Sequence, residues 1–236
     1  MGATASTIWY VDAPDPAAVL AQHPEPDADA AFALAGRMYP ETVAVPLQST
    51  SLADSAGPAG RDVYIGSYPG LTVVCGTNLA RPKPSTIDET WTRPLASERT
   101  YLVCTNSAQP WGAFAYWDRG ALQRSFSATS SFIFENTGLP LVWERPFWAG
   151  EHPARHSADT LPDPQSLPFD PTEFADAANA EWLGFHYADP GAADRTAAAD
   201  IAVCGFRLYR SGEEPPVEPD RPQTRGLLRW WRRLAG

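Results

Sequence analysis

The chain has 236 residues, of which 44% are hydrophobic, 11% aromatic and 19% charged, with nine Trp among them. Such a composition supplies a substantial core and excludes a disordered chain, which would be poor in aromatics and richer in charge. Twenty-four prolines, about twice the average usage of roughly 5%, exclude a long-helix bundle, and a formal charge of −10 opposes any nucleic-acid partner for the body of the protein.

Thr7-Ile8-Trp9-Tyr10-Val11, rich in β-branched and aromatic residues, predicts a buried first strand closed by the Asp12-Ala13-Pro14 turn. Asp15 and Pro16 suit the cap and first position of a short helix. A second helix is expected from an Asp27 or Asp29 cap to Met38, with Phe32, Ala35 and Met38 on its inner face and Pro40 as its stop. Residues 42–45 predict a strand, and 63–66 and 71–75 a hairpin whose Pro69-Gly70 suits a type II turn. Polar, Pro-punctuated residues then hold one helical turn near 87–91. Strands follow at 100–104, 113–117 and 121–127, the last two joined by Asp118-Arg119-Gly120, and again at 132–134 and 141–143. Asp170-Pro171 opens a helix over about 172–185, and residues 201–209 form a closing strand.

Hairpins in the middle with helices towards both ends indicate an α+β fold: an antiparallel-rich mixed sheet with helices packed on one face, forming a single domain over residues 1–210. Residues 211–224 read as a Pro/Glu-rich linker and 225–236 as a basic tail. Cys75, Cys104 and Cys204 are far apart and sit in apolar strand contexts, so they read as buried inert thiols without disulfide or metal spacing. No metal and no cofactor is expected. A basic, then apolar, leader is missing, as is any apolar run long enough to span a bilayer, so the expected location is cytoplasmic.

Functional residue types are densest at Trp148-Ala149-Gly150-Glu151-His152-Pro153, where Glu151 and His152 supply the side chains of a metal site or acid–base pair. Spacing argues against such a site, because Pro153 biases His152 towards extended backbone and adjacent residues on a strand face opposite ways. A surface turn anchored by Trp148 is the plainer reading. Asp118 and Tyr68, at strand ends, are further candidates for a site assembled from several strands. Aromatic residues in 111–117 invite a stacking surface, yet alternation places them on both faces, as packing requires.

The C-terminal segment carries a sharper pattern. Residues 1–210 have a net charge of −11 and residues 211–220 add −4, whereas residues 221–236 hold five Arg and no acid. At 100° per residue Leu227, Leu228, Trp231 and Leu234 share one arc flanked by Trp230, opposite Arg225, Arg229, Arg232 and Arg233. A basic amphipathic helix of this kind lies in an anionic membrane interface, binds a partner groove or docks on its own acidic body.

Residues 1 to about 210 resemble an actinobacterial family, a domain of unknown function. The resemblance rests on the Met1-Gly2-Ala3 start, Arg37-Met38-Tyr39-Pro40, Tyr64 through Leu71, Trp148 through Pro153 and Leu167-Pro168-Phe169-Asp170-Pro171. It implies a bacterial cytoplasmic protein, carries no catalytic residues with it and leaves the tail outside. The leading expectation is a non-enzymatic binding or regulatory domain, peripheral on the inner membrane face or held to a protein partner by its tail. The alternative is a small hydrolase or metal-dependent enzyme using Glu151 and His152.

Overall fold

The computed structural model describes residues 4–106, 108–154, 164–187 and 196–213. In chain order the strands are β1 (Thr4–Val11), β2 (Thr42–Pro46), β3 (Thr50–Ser51), β4 (Asp62–Tyr68), β5 (Leu71–Cys75), β6 (Arg99–Asn106), β7 (Trp111–Asp118), β8 (Ala121–Thr129), β9 (Ile133–Thr137) and β10 (Ala202–Arg210). The helices are α1 (Pro16–Leu20), α2 (Ala28–Met38), α3 (Leu52–Ser55), α4 (Glu89–Thr92), α5 (Arg145–Trp148) and α6 (Pro171–Leu183). All ten strands join one open sheet in the order β2-β10-β4-β5-β1-β6-β7-β8-β9, with β3 added on β10, and every pairing is antiparallel.

Local chemistry sets the element ends. Asp15 and Asp27 accept the N–H groups of Ala18 and Ala30, each at 3.0 Å, and so cap α1 and α2. Asp170 caps α6 through the Thr172 N–H at 2.7 Å, with Pro171 at the first helical position. The β4–β5 hairpin turns at Pro69-Gly70, where Gly70 has φ of +68°, and β7–β8 turns at Arg119-Gly120, both with positive φ as a two-residue type I′ loop needs.

Helices cover both faces of the sheet, where the sequence pointed to one. Along β1, Ile8 and Tyr10 pack with Ala31, Leu34 and Ala35 of α2, whereas Trp9 and Val11 pack with Leu20 of α1 and Leu183 of α6. A central strand buried on both sides carries apolar residues at successive positions, and each face then needs its own cover. The inner face of α2 is rotated from the expected one: Ala31, Leu34 and Ala35 are buried, while Phe32 is 50% exposed beside the Phe206 ring. Residues 141–143 do not form a strand. Glu144 accepts the Leu141 N–H at 3.0 Å, closing a 3-10 turn that runs into α5. Cys75, Cys104 and Cys204 are buried and free, and burial pushes the Cys104 thiol up to about 12. Glu213, in the stretch expected to be a linker, pairs with Arg61 at 2.6 Å; residues 214–236, with the expected tail, lie outside the described residues.

Against the sheet, α6 sits unusually close. A Cβ on Gly112 of β7 would stand 1.8 Å from the Pro171 carbonyl oxygen, so only glycine admits the helix there. Gly112→Ala must push α6 off the sheet, and we expect a loss of about 1–3 kcal/mol in urea denaturation. Gly36→Ala, inside α2 with open space around it, should instead gain about 0.5–1 kcal/mol.

Candidate functional site

Arg124 of β8 and Glu144 are both fully buried and meet in a two-pronged ion pair, Nε to Oε1 and Nη2 to Oε2, each at 2.8 Å. Nη1 donates to Asn136 Oδ1 at 2.7 Å and to the carbonyls of Thr137 and Ser125 at 3.0 and 3.1 Å. The guanidinium also lies over the Phe114 and Phe126 rings, 5.7 and 5.9 Å from their centroids. Besides Leu141, Glu144 accepts the Trp148 indole N–H at 3.3 Å. Buried charges persist only when paired and hydrogen-bonded in this way. Through these bonds residues 141–148 are fixed against β8 and β9.

Leu141, Val142 and Trp143 of that segment form one wall of an open groove of about 550 Å3. Its floor is the sheet. Tyr101 and Tyr116 are direct register partners on β6 and β7, with ring centroids 5.2 Å apart, and Arg99 lies two residues before Tyr101. From α6, Trp182 lies flat on Tyr101 at 4.6 Å and 12°, while Trp143 meets Trp182 edge-on at 6.1 Å. Exposed carboxylates flank the rings, Asp15 from the start of α1 and Glu181 from α6.

Electrostatically the groove mixes donors and acceptors. Arg99 donates to the Ala13 carbonyl and to the Tyr101 side chain, and among the described residues it forms no ion pair. Burial raises the Tyr101 and Tyr116 phenols above their usual range, and the Asp118 carboxylate raises Tyr116 further. Both are therefore neutral hydroxyls at neutral pH. The buried Nε1 of Trp143 has no hydrogen-bond partner among the described residues.

The structure does not bring the four sequence candidates together. Tyr68, Leu71, Val11, Arg99 and Asp118 are successive register partners across five strands. Tyr68 and Asp118 thus share a sheet face at about 19 Å, four strand spacings apart. Tyr68 is buried and donates to the Ala202 carbonyl; Asp118 is exposed beside the groove residue Arg99. Glu151 and His152 follow α5, both exposed, with the His152 ring stacked on Phe147 at 4.2 Å and 17°. Among the described residues no group of three His, Cys, Asp or Glu is placed to hold a metal ion, and no helix is long and apolar enough to cross a membrane. Arg225, Leu227, Leu228, Arg229, Trp230, Trp231, Arg232, Arg233 and Leu234 lie outside the described residues.

Sequence reasoning passed over Arg99, Tyr101, Tyr116 and Trp182, which spacing alone assigns to core strands and a helix. It also passed over Asp176 and His186. Oδ2 of the buried Asp176 lies 3.0 Å from His186 Nδ1, and Oδ1 accepts the Tyr187 N–H at 2.7 Å. With Asn179 donating to the Phe185 carbonyl at 2.7 Å, these bonds fasten the chain where it leaves α6.

Glu144→Gln leaves the Arg124 charge buried and uncompensated, and we expect a loss of about 3–5 kcal/mol in urea denaturation at neutral pH. The double change Arg124→Met with Glu144→Leu removes both charges and should recover part of that loss, the remainder being the Leu141 N–H and Trp148 indole left without their acceptor.

Comparison with curated proteins and with solved structures gave no match. A family model described as a family of unknown function (DUF6928) matches residues 5–206, from within β1 to within β10. The chain belongs to that family.

Proposed function

We propose that this protein is a non-enzymatic binding domain that takes a small polar ligand in the groove between α6, α1 and residues 141–143. The groove itself is the observation that carries this reading. It sets half-buried aromatic rings, an arginine without a carboxylate partner among the described residues and two carboxylates around one open concavity. Its volume of about 550 Å3 falls within the usual range for small-molecule sites. We expect a thermal-shift screen of neutral, cationic and anionic metabolites to find a stabilising compound whose effect disappears in Tyr116→Ala. Stabilisers that act equally on the variant, or a screen without any stabiliser, would remove the reading.

The tail extends the same proposal. Its segregated Arg and Leu/Trp arcs, joined to an acidic body, support peripheral attachment to the anionic inner face of a bacterial membrane, and the arginine-dominated, Ala- and Pro-rich composition fits an actinobacterial cytoplasmic protein. Full-length protein should co-sediment with liposomes containing anionic lipid, while a truncation at residue 220 should stay in the supernatant. Equal failure of both to sediment would rule out the membrane and leave a protein partner or self-docking for the tail.

A further inference from the structure

Resting on the reading of the groove as a ligand site, we propose that its ligand is a neutral saccharide, a short run of pyranose rings. A pyranose is amphipathic in a particular way: one face presents C–H groups, and the edge presents hydroxyls that both donate and accept. The groove offers the complement of each. Tyr116 and Trp182 supply half-buried ring surface, and Trp182 is held flat by its 4.6 Å stack on Tyr101, so the platform is set before a ligand arrives. Arg99 brings five N–H donors, of which described bonds engage only the Ala13 carbonyl and the Tyr101 side chain. Asp15 and Glu181 bring exposed carboxylate acceptors, Asp15 with one oxygen already engaged by the Ala18 N–H.

Other ligand chemistries fit less well. A phosphate or nucleotide would meet the Asp15 and Glu181 carboxylates on a protein of charge −10, against the single guanidinium of Arg99. A quaternary ammonium ion needs an open aromatic cage, but Tyr101 and Trp182 already fill the space between their rings, and Arg99 lies in the floor. An apolar molecule is best served by a closed pocket, and this groove is open along its length. A polyol satisfies donors and acceptors together and adds no net charge.

The test is titration of the full chain, followed by intrinsic tryptophan fluorescence and by indole N–H resonances. The probes are maltotriose, cellotriose and chitotriose, with AMP and glycine betaine as charged comparators. We expect at least one trisaccharide to bind saturably, and Tyr116→Ala and Arg99→Gln each to weaken it by about tenfold. Both variants change half-buried side chains at the groove, and an unaltered melting temperature separates lost binding from lost folding. If AMP or glycine betaine binds in a Tyr116-dependent manner and no trisaccharide does, the saccharide assignment is overturned while the groove stands as a ligand site. If no probe binds, the saccharide assignment is overturned and the metabolite screen alone decides the groove; if binding ignores both variants, the assignment and the groove reading fall together.

Discussion

A buried charge pair organises the half of the molecule that carries the groove. Arg124 and Glu144 are both withdrawn from water, a loss of solvation their mutual attraction offsets only with near-ideal geometry and full hydrogen bonding. That requirement is met by drawing in groups from elsewhere: the Asn136 side chain and Thr137 carbonyl of β9, the Leu141 N–H and the Trp148 indole. Residues 136–148 are therefore wrapped around one guanidinium. Trp143 is thereby set against Phe114, Phe174 and Trp182, and Leu141 and Val142 form the groove wall. An apolar pair of similar volume would preserve the packing, but it offers no acceptor for the Leu141 N–H or the Trp148 indole.

The second organising contact is backbone on backbone. Because Gly112 has no side chain, the first turn of α6 settles directly on β7, and Phe174 enters a ring cluster with Phe114, Phe126, Phe169 and Phe147. Two turns later the same helix delivers Trp182 onto Tyr101. A glycine at one end of the helix thus governs a stacking platform at the other. Residues that look like ordinary core aromatics become groove surface because α6 ends there: Gly184 turns the chain away with φ of +81°, leaving Trp182 and Tyr116 half-covered at the edge.

Electrostatics divides the chain. Residues 1–210 carry most of the acidic excess and place Asp15, Glu181 and Asp118 in or beside the groove, whereas the last sixteen residues concentrate arginine. The opposite signs of charge at the groove's exposed carboxylates and along the last sixteen residues are what set the proposed groove ligand and the proposed tail surface apart in chemistry.

Most of the fold was legible in the residues themselves. Alternating and continuous apolar runs marked the strands, Asp-Pro and Asp caps marked the helices, and Pro-Gly and Arg-Gly marked the hairpin turns, because these signals depend on neighbours within a few positions. Features set by distant contacts were not. Residues 141–143 have a strand's composition and form a turn because a distant Arg124 claims Glu144. The two-sided cover of the sheet depends on where α2 and α6 land. The groove depends on register, since Arg99 and Tyr101 stand opposite Asp118 and Tyr116 only once β6 and β7 have paired. Local backbone preference is written residue by residue, but a site is a convergence of side chains distant in sequence, and only the packed chain decides which of them meet.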